Sequence, residues 1–244
     1  MSLQKFADAP IQNHILAALP HDECERLLSR MSLVRLPRGK YLYHTGQQLL
    51  DAYWLNSGMV SLVATSQDGS SVEVGMVGSE GCVGALALLG LTVMPYEMNV
   101  QIEVETAWRI NVAALREEFN RGGKLQELLL QYMQVVLSQI VQSALCNRFH
   151  TVEQRLGRWL LLARDRVNSD TFLLTHEAIA QMLGTPRTGV TMIARHLQKE
   201  GLISYSRGRI IILDPKGIES VACECYSMTK ESLFGFTQQR FRAA

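Results

Sequence analysis

From residue 41 to residue 108 the chain has no Lys and no Arg, although seven carboxylates fall there: Asp51, Asp68, Glu73, Glu80, Glu97, Glu103 and Glu105. A buried phosphate without a cation is costly, so this stretch offers a phosphorylated ligand no side-chain partner. Cysteine is sparse. Cys24, Cys82, Cys146, Cys223 and Cys225 are scattered and odd in number, which argues against a disulfide framework and for a reducing cytoplasm. Of six histidines (14, 21, 44, 150, 176 and 196), only His44 falls among the strand signals. That speaks against a metal-dependent cupin enzyme, whose ligands cluster on neighbouring strands. No basic segment followed by an apolar stretch opens the chain. The longest near-apolar run, Val83 to Met94, holds Gly84 and Gly90 and is too short to span a bilayer. Neither a signal peptide nor a membrane partner is expected.

What is present is divided unevenly. Residues 1–108 hold 6 Lys+Arg against 11 Asp+Glu, and residues 109–244 hold 18 against 12. The net charge of +1 hides a basic C-terminal part suited to a polyanion. Residues 11–30 read as two short helices around Pro20. Then come short β-branched and aromatic runs: Lys40–His44, Ala52–Leu55, Met59–Ala64, Val72–Val77 and Val100–Trp108. Turn signals separate them, with Asp68-Gly69 a hairpin candidate. Such a series predicts an antiparallel sandwich or barrel.

Helix is predicted from Asn111 onward, and Lys124–His150 contains neither Pro nor Gly. There Leu125, Leu128, Tyr132, Val135, Gln139, Gln142, Cys146 and Phe149 follow a three-four spacing. A heptad-like seam on a helix between two domains reads as a dimerisation face; the alternative is a helix packed on its own β-domain. A second amphipathic helix covers Val152–Val167.

Residues 175–200 carry the sharpest pattern. Thr175 can cap a helix whose apolar face is Ala178, Ile179, Met182 and Leu183, with Gly184 as its left-handed stop. Thr185 and Pro186 suit the cap and first position of the next helix. That helix buries Val190, Ile193, Ala194 and Leu197. It presents Arg187, Thr188, Thr191, Met192, Arg195 and Lys199. Two short helices around a tight turn, the second with a polar, basic face, describe a helix-turn-helix. Leu202–Tyr205 and Arg209–Leu213 around Ser206-Arg207-Gly208 add a cation-bearing wing. Residues 186–216 hold six Lys+Arg against Glu200 and Asp214, a charge balance that attracts phosphate.

With these residues in view the chain resembles the cyclic-AMP receptor and FNR family of bacterial regulators. The resemblance rests on Leu174-Thr175-His176-Glu177-Ala178-Ile179-Ala180 with Gly184, on Arg187, and on Leu197-Gln198-Lys199-Glu200-Gly201-Leu202-Ile203. Gly39-Lys40, His44, Gly46, Gly58 and Glu153-Gln154-Arg155-Leu156 extend it over most of the chain. It implies an α+β fold: a cyclic-nucleotide-binding-like, cupin-like β-roll, a long dimerisation helix and a C-terminal winged helix reading a palindrome. It also implies contact with RNA polymerase. Two departures matter. The family's recognition helix opens on Arg, Glu and a second Arg that read bases, where this chain has Arg187, Thr188 and Met192. The family's Gly-Glu-Leu and phosphate-binding Arg-Ser correspond to Gly84-Ala85-Leu86 and Met98-Asn99.

The reading is therefore a sequence-specific, non-enzymatic, cytoplasmic DNA-binding regulator. A β-roll sensor occupies residues 1–121, a dimerisation helix 122–150 and a winged helix with C-terminal extension 151–244. DNA contacts are expected from Thr175, Arg187, Thr188, Thr191, Met192, Arg195, Lys199, Arg207 and Arg209. Glu80, Cys82, Gly84, Ala85, Met98 and Asn99 would line the pocket of an unidentified effector other than cyclic AMP. No catalytic residue, metal or cofactor is expected. FNR-type iron–sulfur sensing needs closely spaced N-terminal cysteines and Cys24 stands alone, while Cys223-Glu224-Cys225 supplies two ligands at most, with no partner pair.

Overall fold

The structure is a computed structural model and describes residues 10–242, apart from the side chains at 234 and 237–242. Two short helices, α1 (His14–Ala17) and α2 (His21–Leu28), precede the sheet region. Eight strands follow: β1 (Ser32–Leu36), β2 (Tyr41–Tyr43), β3 (Asp51–Leu55), β4 (Met59–Thr65), β5 (Ser71–Val77), β6 (Cys82–Val83), β7 (Glu97–Ile102) and β8 (Val104–Asn111). They form two antiparallel four-stranded sheets, ordered β1-β8-β3-β6 and β2-β7-β4-β5. Trp54, Leu55, Val60, Val100, Ala107 and Ile110, all essentially inaccessible, fill the space between them. At the predicted β4–β5 turn, Ser66 N–H donates to the Ser70 carbonyl at 2.8 Å and Gly69 has φ 85°.

The run Val100–Trp108 is not one strand. The chain changes sheet at Glu103, so that β7 pairs with β4 and β8 with β3. Gly58 lies against this crossover: a Cβ there would stand 2.2 Å from the Glu103 carbonyl oxygen. Hydrophobic alternation continues through a sheet switch, which is why periodicity alone joined the two. β1, which the sequence reading passed over, pairs with β8 at the sheet edge.

Asn111 caps α3 (Val112–Asn120), accepting from Ala113 N–H at 2.9 Å. The long helix α4 (Lys124–Phe149) follows. Most of its predicted seam is covered by its own chain. Leu125, Leu128, Tyr132, Val135, Gln139 and Cys146 are buried within the chain itself. The opposite face is bare: Leu130, Leu137, Val141 and Leu145 are 41–63% exposed, and Phe149, the last residue of the predicted seam, is itself 73% exposed. At 100° per residue the two apolar stripes lie on opposite sides of the cylinder. A heptad pattern cannot distinguish a sheet from a second helix as the surface it meets, and here the β-roll core took Leu125 to Gln139 while Cys223 and Cys225 took Cys146. α4 is also the one described helix long and apolar enough to cross a membrane, and this double stripe is the source of that apolarity.

Thr151 and Gln154 form a capping box at the start of α5 (Val152–Val167). The C-terminal region then runs β9 (Thr171–Leu173), α6 (His176–Leu183), α7 (Arg187–Lys199), β10 (Ile203–Ser206), β11 (Arg209–Ile212), α8 (Pro215–Val221) and α9 (Cys225–Arg242). Its three strands are ordered β10-β11-β9. Leu160, Ile179, Val190, Leu197, Ile203 and Ile210 form its core.

Candidate nucleic-acid interface and sensor pocket

The helix-turn-helix is built as its sequence directs. The Thr175 hydroxyl caps α6, accepting from Ala178 N–H at 3.2 Å, and Gly184 ends it at φ 55°. Pro186 is the cap of α7, not its first helical residue: its ψ of 142° is extended, and its carbonyl accepts the first helical bonds. Arg187 thereby opens the helix. Thr175, Arg187, Thr188, Met192, Arg195, Lys199, Arg207 and Arg209 are all exposed. Arg187 is 69% exposed and only loosely held by Glu177 at 4.0 Å. Thr191 departs from the expectation. Its hydroxyl donates to the Arg187 carbonyl at 3.0 Å and accepts from His176 Nδ1 at 3.0 Å, which fastens α7 to α6 and leaves its proton unavailable to a base. The His176 ring stacks on Tyr205 at 4.2 Å, and burial holds its pKa below the usual value. His176 is thus a neutral strut between α6, α7 and the wing, a role that its sequence position alone did not signal.

The wing is a two-residue hairpin. Ser206 pairs with Arg209, and Arg207 and Gly208 between them have φ 50° and 74°. Both values suit a type I′ turn, which projects Arg207 beyond the sheet.

The β-roll interior is less hospitable than the pocket expected of it. Cys82, Gly84, Ala85 and Met98 do line one cavity, together with Met94, Tyr96, Tyr132 and Met133. Its volume is about 20 Å³, room for about one water, whereas sites for small organic ligands run to roughly 300–1,000 Å³. Glu80 and Asn99 are not among its lining residues. Glu80 is buried in an ion pair with Arg166 of α5, with Nε to Oε1 at 2.9 Å, and Asn99 is buried between β2 and β4. A carboxylate in a glycine-flanked loop looks like a ligand group in sequence; its actual cation comes from 86 residues away. Burial pushes the Cys82 thiol well above its ordinary pKa, which leaves it unreactive. His44 is exposed, stacked on Tyr41 at 4.6 Å and 3.6 Å from Glu97.

Polar groups fasten α5 to the β-roll. Arg166 reaches Glu80 and also donates to Gln139 Oε1 of α4 at 3.0 Å, and Gln139 donates to the Met76 carbonyl at 3.0 Å. Beside them, Trp159 Nε1 donates to Glu73 at 3.0 Å and Ser61 Oγ bonds the other Glu73 oxygen at 2.5 Å. Burial pushes the Glu73 carboxyl up to about 7 from 4.5, against the opposing pull of these hydrogen bonds and of Arg158 and Arg166. Between those two values the folded chain keeps a proton that the unfolded chain has lost. The stability from Glu73 is therefore fully present below about 4.5 and is lost as pH rises through 7. Glu73→Gln, which mimics the protonated side chain, should flatten the pH dependence of thermal stability between pH ~5 and ~8, with a gain at the upper end of roughly 2–3 kcal/mol. An unchanged melting profile would place the Glu73 pKa near its ordinary value.

A winged helix-turn-helix joined by a long helix to a two-sheet roll defines a DNA-binding regulator with an attached sensor domain. Residues 33–121 match the family model of the cyclic nucleotide-binding domain and residues 154–221 that of the Crp-like helix-turn-helix domain. The transcriptional regulator SdrP of Thermus thermophilus is 25% identical over 177 residues, covering 70% of this chain and 83% of the relative. The global nitrogen regulator of Synechococcus elongatus is 22% identical over 196 residues, covering 76% and 87%. Among solved structures, FixK2 from Bradyrhizobium japonicum superposes with a TM-score of 0.67 at 13% identity, covering 79% of this chain and 98% of that one. The c-di-GMP-responsive global regulator CLP of Xanthomonas campestris gives 0.63 at 18% identity, covering 79% and 99%. The chain belongs to the Crp/Fnr family of transcriptional regulators. It is a DNA-binding regulator and not an enzyme.

Proposed function

We propose that the protein binds a palindromic operator in the cytoplasm as a homodimer formed along α4, and meets RNA polymerase at promoters as its family does. The observation that carries this reading is the bare stripe Leu130, Leu137, Val141 and Leu145. A row of exposed leucine and valine on one helix face suits a symmetric helix–helix contact, in which each fully buried side chain contributes roughly 1.5–3 kcal/mol. A dimer presents two copies of α7, so half-sites should lie about one helical turn apart. Selection of bound duplexes from a random pool tests the operator; recovery of unpaired half-sites would overturn the symmetric reading. Replacing Leu137 and Val141 together by Glu should raise the dimer dissociation constant at least about 100-fold. Sedimentation that still shows a dimer would move the interface elsewhere.

The effector of this regulator is not cyclic AMP. The β-roll has no Lys or Arg from residue 41 to 108, and the cavity behind Cys82 and Met98 measures about 20 Å³. Titration calorimetry with cyclic AMP should show no binding at micromolar concentration, and operator affinity should be the same with and without it. Micromolar binding that tightens operator contact would refute this.

A further inference from the structure

Three cysteines and one histidine, separated by up to 79 residues in sequence, meet where α4 ends. Cys146 lies in the last turn of α4 and His150 is the residue that caps its C-terminal end, and Cys223 and Cys225 flank Glu224 at the junction of α8 and α9. Their ligand atoms all lie within 4.8 Å of one another. Cys146 Sγ is 3.5 Å from Cys223 Sγ, and Cys225 Sγ is 3.4 Å from His150 Nδ1. A tetrahedral zinc ion with Zn–S near 2.3 Å and Zn–N near 2.0–2.1 Å sets its ligands roughly 3.4–3.8 Å apart. The two observed separations fall in that range before any ion draws the ligands together.

The surroundings match those of a metal centre. The far nitrogen of His150, Nε2, lies 3.2 Å from Glu224 Oε1, and a carboxylate behind a ligating imidazole fixes its tautomer and raises its basicity. Gln142 Nε2 donates to Cys225 Sγ at 2.9 Å, as suits a thiolate. Three thiolates, a neutral imidazole and a divalent cation leave a net charge of −1. The guanidiniums of Arg155 and Arg158, on the adjacent α5, interact electrostatically with this cluster, and their Nε atoms have no hydrogen-bond partner. The three cysteines form a small buried cluster of their own, apart from both hydrophobic cores.

We propose that Cys146, His150, Cys223 and Cys225 form a Cys3His site for one structural divalent metal ion, zinc by its donor set. The sequence reading stopped at two ligands because the i, i+4 pair at the end of α4 belongs to a different part of the chain, and only the return of α8–α9 along α4 brings the two pairs together. The ion would pin the C-terminal extension to the last turns of α4, and so fix the DNA-binding region on the helix that carries it.

The test uses the full-length chain, purified under reducing conditions. Elemental analysis should find one zinc per chain. Cobalt(II) added to the chelated protein should give the intense visible bands of a tetrahedral site and thiolate-to-metal charge transfer. Cys223→Ser with Cys225→Ser should abolish both. Cys24→Ser and Cys82→Ser should change neither, and His150→Cys should keep the metal. With free zinc at about 1,000 times its dissociation constant, chelation should lower the melting temperature by roughly 8–16 °C. Metal uptake that survives Cys223→Ser with Cys225→Ser would overturn the proposal. So would a reduced wild-type chain that takes up neither metal, a Cys146–Cys223 disulfide in the freshly isolated protein, or an iron–sulfur chromophore with acid-labile sulfide.

Discussion

Arg166→Met should destabilise the protein by roughly 3–5 kcal/mol, because it leaves Glu80 as a buried carboxylate without its cation. Both side chains are less than a tenth exposed, and Arg166 is the hub that joins Glu80 and Gln139. The substitution also strips the Gln139 carbonyl oxygen of a donor. For a chain of this length the melting temperature should fall by about 6–20 °C. Adding Glu80→Leu to Arg166→Met removes the orphaned charge and should restore most of the loss, since apolar replacement of a whole buried pair is often neutral. A double variant no more stable than the single one would show that the pair holds the fold by something other than mutual neutralisation. The network spans the β-roll, α4 and α5, so the single variant should also alter operator affinity; surface arginines of α7 would change affinity without changing the melting temperature.

Arg187→Ala should weaken operator binding by about 1–3 kcal/mol for each half-site, roughly 2–6 kcal/mol in the proposed dimer. Arg187 opens α7 with an exposed guanidinium whose ion pair to Glu177 is too long to hold it. From there its two parallel N–H donors can meet guanine O6 and N7 together, which Lys matches poorly. Selection with the variant should lose preference at one base pair of each half-site; identical preferences would show that Arg187 reads nothing. Arg207 provides the contrast. Arg207→Asn keeps a residue that tolerates φ 50° and removes only the charge. It should weaken binding to all sequences alike and lower the salt dependence by about one unit per lost phosphate contact.

The sequence by itself determined the elements whose signals are local. The capping box at Thr151, the Thr175 cap, the Gly184 stop and the Arg207-Gly208 turn each need only a few neighbouring residues. The winged helix-turn-helix, a local assembly, was therefore readable, apart from Pro186, which caps α7 instead of opening it, and Thr191, which turns onto His176. Tertiary structure decided everything that depends on which surfaces meet. It buried most of the α4 seam within its own chain and left Leu130, Leu137, Val141 and Leu145 bare, because periodicity specifies an apolar face and not the surface that covers it. It divided Val100–Trp108 between two sheets, since both sheets bury the same alternation. It took Glu80 out of the expected pocket by supplying Arg166, and it turned Thr191 inward onto His176. It joined Cys146 and His150 to Cys223 and Cys225, two pairs that spacing alone leaves unrelated. Each of these pairings crosses a long stretch of chain or an element boundary, where local propensity is silent and packing of the whole chain chooses the partner.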